Sequence, residues 1–190
     1  LLVKASVAAT KALPQVFAGN AADDRLAFRR RADGGYSLAP GQEHDFYVGP
    51  DAFRHFRRFL PLLKKEFRST HFHPAAPSGF PDAWGTLRGW AMDGKSPFER
   101  MRILNPAPNL RLLSRLQDDF AATFPGLGRP RLAAAWAGMI DTMPDVVPVI
   151  DHVEAIPGLV LATGLSGHGF GIGPGMGRVV ADLVIGGAVG

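Results

Sequence analysis

The sequence predicts a mixed α/β fold of the α+β kind, in which a mixed or antiparallel sheet is flanked by helices. Two short β-prone runs separated by Asp33-Gly34-Gly35 predict a β-hairpin, because Asp-Gly is a frequent hairpin turn. Two later segments place apolar residues three and four positions apart, as amphipathic helices do. Residues 126–190 hold 14 of the 23 glycines and read as strand, glycine loop and helix.

Composition indicates an ordinary globular protein. The chain has 190 residues, of which 46% are hydrophobic and 20% charged, which excludes a disordered chain. The absence of cysteine excludes disulfides, thiolate metal centres and thiol nucleophiles. No apolar run reaches the roughly 18 residues of a membrane span. Because the sequence starts without an initiator Met or a signal-peptide pattern, we expect the interior of a longer chain.

The main sheet is predicted to contain residues 26–48 and 131–140, with helices near 51–67 and 109–124. The β-prone runs of the first part are 3–9, 26–31, 36–39 and 46–48. The later runs are 131–140, 146–150 and 159–163, with Pro157-Gly158 as a turn before the last of them.

The first predicted helix carries an apolar stripe, and its N-cap is predicted to be Asp51. We expect this stripe, and Phe59 beside it, to face the core, whereas the basic residues of the helix face solvent. The stripe consists of Phe53, Phe56, Leu60, Leu63 and Phe67.

Residues 69–108 are rich in proline and show no period, so an irregular stretch with at most short helical turns is expected. Asn109 is predicted to cap the second helix, which Pro125-Gly126 ends. Its apolar stripe is Leu110, Leu113, Leu116, Phe120 and Phe124.

The glycine loop from Gly164 to Gly175 is the segment that most directly suggests a ligand. Glycines let a backbone approach a flat or anionic group closely, and the helix expected near Pro174 would point its N-terminus at that group. The loop matches neither G-x-G-x-x-G nor the P-loop, and it departs from the nucleophile elbow at His168. The alternative is a structural turn that packs a helix on a strand.

Two other clusters have simpler interpretations. His71 and His73 share one side of an extended segment, but no third metal ligand is indicated, so surface histidines are predicted. Arg29-Arg30-Arg31 would alternate faces in a strand, which favours a solvated hairpin over a phosphate site.

Two motifs carry a resemblance to a known family. The segment 136–150, WAGMIDTMPDVVPVI, resembles the W-x-G-x-x-x-x-x-P-D-x-x-P segment of FAD-dependent oxidoreductases of the D-amino-acid oxidase/dehydrogenase (DAO) family. This family includes D-amino-acid dehydrogenases, glycine oxidases and sarcosine oxidases. Residues 157–164, PGLVLATG, and 166–170, SGHGF, resemble the same proteins at the right spacing. The resemblance is strong over 129–187 and vaguer before it.

The resemblance implies a two-domain organisation. Residues 1–128 would be part of a substrate-binding domain, and residues 129–190 the C-terminal strands, Gly-rich loop and helix that return to an FAD-binding domain. The N-terminal dinucleotide motif of the family is missing, so the chain resembles a C-terminal portion. The FAD site would be non-covalent and incomplete here, so this chain alone should not hold FAD tightly or be active.

The resemblance also implies the site residues. The loop would line the flavin ring, and the helix after it would face the N1 and O2 edge of the ring. The cofactor-binding residues would be Gly164, Ser166, Gly167, His168, Gly169, Phe170, Gly171 and Ile172. A substrate carboxylate needs a cation, and Arg102, Arg129 and Arg131 are candidates between which the sequence does not choose. No catalytic side chain and no metal ligand are assigned.

The implied activity is oxidation of the C–N bond of a D-amino acid, glycine or an N-alkyl amino acid, with oxygen or a quinone-type carrier as electron acceptor. Sarcosine oxidases carry Lys where this chain has Gly171 and attach flavin through Cys, so a non-covalent dehydrogenase is favoured. The expected location is cytoplasmic, with a peripheral position at the inner membrane left open.

The sequence leaves two other functional classes to consider. A non-catalytic binding or assembly module that retains the fold is the alternative. A nucleic-acid-binding domain is disfavoured, because the net charge is only +4 and the aromatics follow helix-core spacing.

Overall fold

A seven-stranded mixed sheet organises residues 1–186, the part of the chain that the computed structural model describes. The strands follow the order β2-β3-β4-β1-β5-β6, and β7 pairs with the other edge of β1. All pairs are antiparallel except β5 with β6. The strands are β1 (Leu2–Thr10), β2 (Asn20–Ala22), β3 (Ala27–Arg30), β4 (Tyr36–Ala39), β5 (His44–Tyr47), β6 (Thr70–His73) and β7 (Leu132–Asp141). The predicted mixed α/β fold and the strands of its main sheet are thus confirmed.

Strand β1 is the centre of this sheet. It pairs with β7 along its whole length, from Leu2 opposite Asp141 to Thr10 opposite Leu132. Its other edge is shared, because β4 pairs near Ala8 and β5 pairs near Val3. Strands β4, β5 and β7 are therefore all positioned by their direct pairing with β1.

The predicted hairpin joins β3 to β4. Oδ1 of Asp33 accepts a hydrogen bond of 3.0 Å from the N–H of Gly35, and Gly34 has a φ of +83°. A side chain on Gly35 would overlap the backbone carbonyl of Thr10. The turn thus requires glycine at both positions, for different reasons.

The buried core lies between the sheet and the helix α4 (Leu110–Thr123). The side chain of Asn109 accepts a hydrogen bond from the N–H of Leu112 at 3.2 Å, which confirms the predicted cap. The predicted stripe holds for Leu113, Leu116 and Phe120, and Phe124 packs partly buried against them. It does not hold for Leu110, which is exposed, while Leu112 is buried in its place. The core residues are Ala8, Leu26, Tyr36, Leu38, Leu113, Leu116 and Phe120.

The predicted helix over 51–67 is two helices, α1 (Pro50–Arg54) and α2 (Phe56–Glu66). The prediction that Asp51 is the N-cap was wrong: Gly49 occupies that position, and Pro50 starts the helix because its fixed φ suits the first turn. The prediction of a core-facing stripe was also wrong. Both helices lie within the described residues and none of their side chains is buried.

The proline-rich segment contains one strand that the sequence did not predict, and a short helix that agrees with the predicted helical turns. Strand β6 was not predicted, and it adds to β5 in parallel with Thr70 opposite His44. The short helix α3 (Pro97–Arg100) starts with a capping box, in which Ser96 and Glu99 bond reciprocally. A four-residue strand that relies on a parallel partner distant in sequence leaves little periodic signal.

The C-terminal part adds a two-stranded sheet and a helix. Strands β8 (Val149–His152) and β9 (Val160–Thr163) pair antiparallel, and α5 (Gly169–Ile185) follows. Two predicted boundaries were wrong: β8 starts at Val149 because residues 144–146 form a turn in which Val146 has a φ of +62°, and the helix starts at Gly169, with Pro174 inside it. The last residues of the predicted C-terminal part, 187–190, lie outside the described residues.

Candidate functional site

A cleft of about 490 Å³ lies between the large sheet, α2 and the start of the glycine loop. Its floor is formed by side chains of β1, β5 and β7, and its outer wall by the apolar side of α2. The residues that matter below are Val3, Ala5, Phe46 and Ile140 on the floor, Phe56, Phe59 and Leu63 on the wall, and Ser166 and His168 at the loop.

The cleft and the core occupy opposite faces of the sheet. Successive side chains of a strand point to opposite faces, so Val3 and Ala5 border the cleft, whereas Lys4 and Ser6 are buried on the other side. The same alternation places Phe46 in the cleft and its neighbour Asp45 behind it. The sheet thus separates a packed face from an open apolar face.

Hydrogen bonds hold the wall helix α2 at its C-terminus and hold α1 just before it. At its C-terminus, the carbonyl of Glu66 accepts hydrogen bonds from the hydroxyls of Thr70 (2.9 Å) and Ser69 (3.0 Å). At the preceding turn, the N–H of Asp51 donates to Oδ1 of Asp82 at 3.1 Å. The middle of α2 borders the open space of the cleft, which explains why its apolar stripe is not buried.

Arg88 reinforces the attachment of α1 by binding both Asp51 and Asp82. Burial raises the pKa of Asp82 above its ordinary value, and the neighbouring charge of Asp51 adds to this effect. Burial also acts on Asp51, but the hydrogen bond and charge of Arg88 outweigh it and lower the pKa of that carboxyl.

The polar end of the cleft is formed by the side chains of His44 and Glu66. Nε2 of His44 lies 3.0 Å from Oγ1 of Thr70 and 4.0 Å from Oε2 of Glu66. Within residues 1–186, no lysine or arginine side chain lines the cleft. The cleft proper therefore accepts apolar groups and does not offer a permanent cation to a carboxylate.

His71 and His73 each bind one carboxylate on the face of the sheet opposite the cleft. Nε2 of His71 lies 2.7 Å from Oε2 of Glu43, and Nε2 of His73 lies 2.7 Å from Oδ1 of Asp45. In the part of the chain that the structure describes, no group of three potential metal ligands occurs. Both imidazoles therefore have a structural partner.

The glycine loop is fastened to the end of β7 by a residue that the sequence analysis missed. Oδ2 of Asp141 accepts hydrogen bonds from the N–H of Gly164 (3.1 Å) and the hydroxyl of Thr163 (3.0 Å). Gly164 has a φ of +74°, and a side chain there would overlap Met143. In the sequence, Asp141 is an unspecified position between the Trp136 and Pro144 motif residues, so no spacing marked it.

The glycines at the start of α5 leave room for a flat group. For the described part of the chain, a Cβ added to Gly171, Gly173 or Gly175 would meet no atom within 4 Å. Packing among these residues therefore does not explain why they are glycines, whereas close approach of a cofactor or another segment would. The side chain of His168 does not cap the helix, so the first N–H groups of α5 keep their partial positive charge. These features fit a flavin.

The three candidate arginines lie away from the cleft. Arg129 binds Asp118 (2.6 Å) and Ser114 on α4. Arg131 follows it, directly before β7, and Arg102 is exposed between α3 and α4. The structure thus brings Ser166 and His168 to the cleft, and none of the three arginines lines it.

Comparison with known families identifies the chain. Residues 1–183 match the DAO family, described as FAD dependent oxidoreductase. The match covers nearly the whole chain, so the protein belongs to this family. No curated protein sequence matches the chain.

Solved structures support the same fold. The L-amino acid deaminase from Proteus vulgaris is 28% identical with a TM-score of 0.85, over 99% of this chain and 43% of that chain. The L-amino acid deaminase from Proteus myxofaciens, in complex with anthranilate, is 27% identical with a TM-score of 0.87, over 99% and 41%. Glycine oxidase from Bacillus cereus ATCC 14579 is 16% identical with a TM-score of 0.55, over 97% and 36%, and shows the fold alone.

The chain spans less than half the length of these structures. Among residues 1–186, no helix is long and apolar enough to cross a membrane.

Proposed function

We propose that the full-length protein is an FAD-dependent oxidoreductase that oxidises the C–N bond of an amino acid. The observation that carries the proposal is the position of the glycine loop: Ser166 and His168 border the same cleft as the apolar side chains of β1, β5 and α2. A cofactor against the loop would meet a substrate side chain held in the cleft.

The chain would contribute two parts to this enzyme. Residues 1–128 are proposed as part of the substrate-binding domain and residues 129–190 as the segment that returns to the FAD-binding domain. Strand β7 links the two, because it belongs to the second part and pairs with β1 throughout.

FAD would be bound non-covalently, with the loop residues from Gly164 to Ile172 against the ring. When bound, FAD supplies the chemistry of accepting a hydride from the substrate. The N–H groups from Gly169 to Ile172 are the expected donors, but those of Gly171 and Ile172 bond the carbonyl of His168. The N–H groups of Gly169 and Phe170, at the start of α5, would therefore stabilise negative charge at the N1 and O2 edge. The apolar walls of the cleft would orient the substrate and exclude water.

The substrate is proposed to be an α-amino acid or N-alkyl amino acid. The family resemblance suggests D-amino acids, glycine and N-alkyl amino acids, and the two deaminase structures add L-amino acids. Arg102, Arg129 and Arg131 remain the proposed carboxylate-binding candidates. Arg129 would have to leave Asp118 to take this role, which favours the other two.

The test uses the full-length protein and the 190-residue chain side by side. The full-length protein should copurify with flavin, and under anaerobic conditions at least one amino acid should bleach its absorbance. The chain alone should retain no flavin after dialysis. Reoxidation by oxygen and by a quinone analogue, compared as rates, then distinguishes an oxidase from a dehydrogenase. Fractionation of cells tests the proposed cytoplasmic location and any peripheral attachment to the inner membrane.

A full-length protein that binds no flavin, or that no amino acid reduces, would refute the proposal. That outcome would favour a binding or assembly module that retains the fold. An intact gene without a dinucleotide-binding motif upstream of Leu1 would point the same way.

A further inference from the structure

Asp141 ends β7 and faces the glycine loop with both its side chain and its backbone. Its Oδ2 accepts hydrogen bonds from the hydroxyl of Thr163 at 3.0 Å and from the N–H of Gly164 at 3.1 Å. Its carbonyl accepts one from the N–H of Ser166 at 3.0 Å. One residue thus contacts three of the four residues from Thr163, the end of β9, to Ser166 in the loop.

Ser166 completes the attachment from the other side. Its Oγ accepts a hydrogen bond from the N–H of Met143 at 3.0 Å and donates one to the carbonyl of Gly164 at 3.1 Å. Two of the bonded residues have left-handed backbones, Gly164 with a φ of +74° and Ser166 with a φ of +48°. A serine in this region is uncommon, and it persists where the surroundings hold it.

Asp141 also belongs to the seven-stranded sheet that forms the cleft floor. Asp141 pairs with Leu2 across the first position of the β1–β7 ladder, and Ile140 beside it lines the cleft. The hydrogen bonds of Asp141 therefore tie the start of the loop to the strand that forms part of the cleft floor, in addition to the glycine that the loop requires at position 164.

We propose that Asp141 is a positioning residue that fixes the glycine loop, and with it the start of α5, at the distance from the cleft that flavin reduction requires. The inference rests on the proposed function, because it assumes that flavin lies against this loop. Asp141 acts through Thr163 and Gly164 and touches neither flavin nor substrate.

The test compares Asp141→Ala with Asp141→Asn in the full-length flavoprotein. The amide oxygen of Asn can accept both hydrogen bonds that Oδ2 accepts, so Asn keeps the geometry and removes the charge. Losing hydrogen bonds to a charged acceptor should raise the flavin dissociation constant about tenfold for Asp141→Ala. Asp141→Asn should bind flavin within about threefold of wild type on the same scale.

The flavin reduction potential distinguishes a change in the placement of the loop from a loss of protein stability. Thr163→Val removes one donor and keeps the carboxylate charge, so it should lower the potential, because the helix start is less well placed to stabilise reduced flavin. Thr163→Ser keeps the hydroxyl and should retain the wild-type potential. For both Thr163 variants the turnover number should change with the potential, while the KM for the amino acid stays near wild type.

Wild-type flavin affinity in Asp141→Ala would overturn the inference, as would an Asp141→Asn protein that is as impaired as Asp141→Ala. If the Asp141 variants fail to fold, a wild-type potential in Thr163→Val would overturn it by itself. A wild-type protein that binds no flavin would instead refute the proposed function, so the two failures are distinct.

Discussion

Nε2 of His73 lies 2.7 Å from Oδ1 of Asp45, a carboxylate whose side chain is fully buried behind the strand pair that floors the cleft. The same oxygen accepts a hydrogen bond from Nδ2 of Asn109 at 2.9 Å, and Oδ2 lies 3.3 Å from Nζ of Lys4. Lys4 also donates to the carbonyl of Ala107 at 3.1 Å. Asp45 thus joins β1, β5 and β6 to the N-terminus of α4.

Asp45→Ala should destabilise the protein strongly. The change leaves Lys4 buried without its carboxylate, and loss of one partner from a buried ion pair costs about 3–5 kcal/mol. The free energy of unfolding, from chemical denaturation of the full-length protein, measures this. Asp118→Ala removes an exposed partner of Arg129 and is the matched control, expected to change little. Equal effects of the two variants would contradict the importance of the buried cluster.

The same carboxylate should make stability depend on acid pH. Burial raises the pKa of Asp45, but the hydrogen bond from His73, the charge of Lys4 and the bond from Asn109 outweigh it, so the pKa lies below its ordinary value. Because the folded pKa is lower than the unfolded value of about 3.9, the stabilisation is complete above that value. It is lost as the pH falls through the unfolded and then the folded pKa.

Asp45→Asn isolates this contribution. Glu43 also has a lowered pKa, since bonds and charges from His71 and Arg115 outweigh its burial, and Asp82 has a raised one that acts in the opposite sense. Both remain in the variant, so the wild-type minus variant difference reports Asp45 alone. That difference in unfolding free energy should shrink as the pH falls below about 4; a constant difference down to acid unfolding would contradict the assignment.

Local patterns predicted the elements whose partners are close in sequence. The Asp33-Gly34 hairpin and the Asn109 cap depend on hydrogen bonds two or three residues away, and both were found as expected. Strand β6 depends on a parallel partner 26 residues earlier, Thr70 against His44, and was missed. Periodicity reports which residues of a helix are apolar, but not whether another element covers them.

The stripe of α2 shows this limit most clearly. Phe56 and Phe59 follow core spacing, yet they border a cleft, because α2 is bonded at its C-terminus and the cleft separates its middle from the sheet. For the candidate site, the glycine loop was visible as composition, whereas Asp141 was not. Its role depends on where β7 ends relative to Gly164, and only the fold brings these residues together.

Phe56→Ala and Phe120→Ala should differ in their cost to the unfolding free energy, because Phe56 borders the cleft and Phe120 lies in the core. Phe120 is fully buried, so its truncation should cost about 3–5 kcal/mol of unfolding free energy. Phe56 is 50% exposed, so its truncation should cost well under half as much. If the cleft holds the substrate side chain, Phe56→Ala should still raise the KM for apolar amino acids. A large stability loss with unchanged KM would mean that Phe56 is a core residue after all.

The final prediction concerns the glycines at the start of α5. Gly171 is in the first turn of the helix, and a Cβ there would meet no atom within 4 Å in residues 1–186. Gly126, in the short turn after α4, is equally open and lies outside the loop. The two positions therefore form a matched pair: alanine fits at both in this chain, and they differ in their expected distance from the flavin.

Gly171→Ala should stabilise the flavin-free protein or leave it unchanged, because alanine favours a helix interior over glycine by up to about 1 kcal/mol. In the full-length flavoprotein the same methyl group would occupy space that the proposed site gives to the ring, so the flavin dissociation constant should rise. Gly126→Ala should leave flavin affinity unchanged. Flavin titration followed by fluorescence, together with thermal unfolding of the flavin-free forms, measures both quantities. Wild-type flavin affinity in Gly171→Ala would show that Gly171 does not face the ring, and the glycine loop would then be a structural turn at this position.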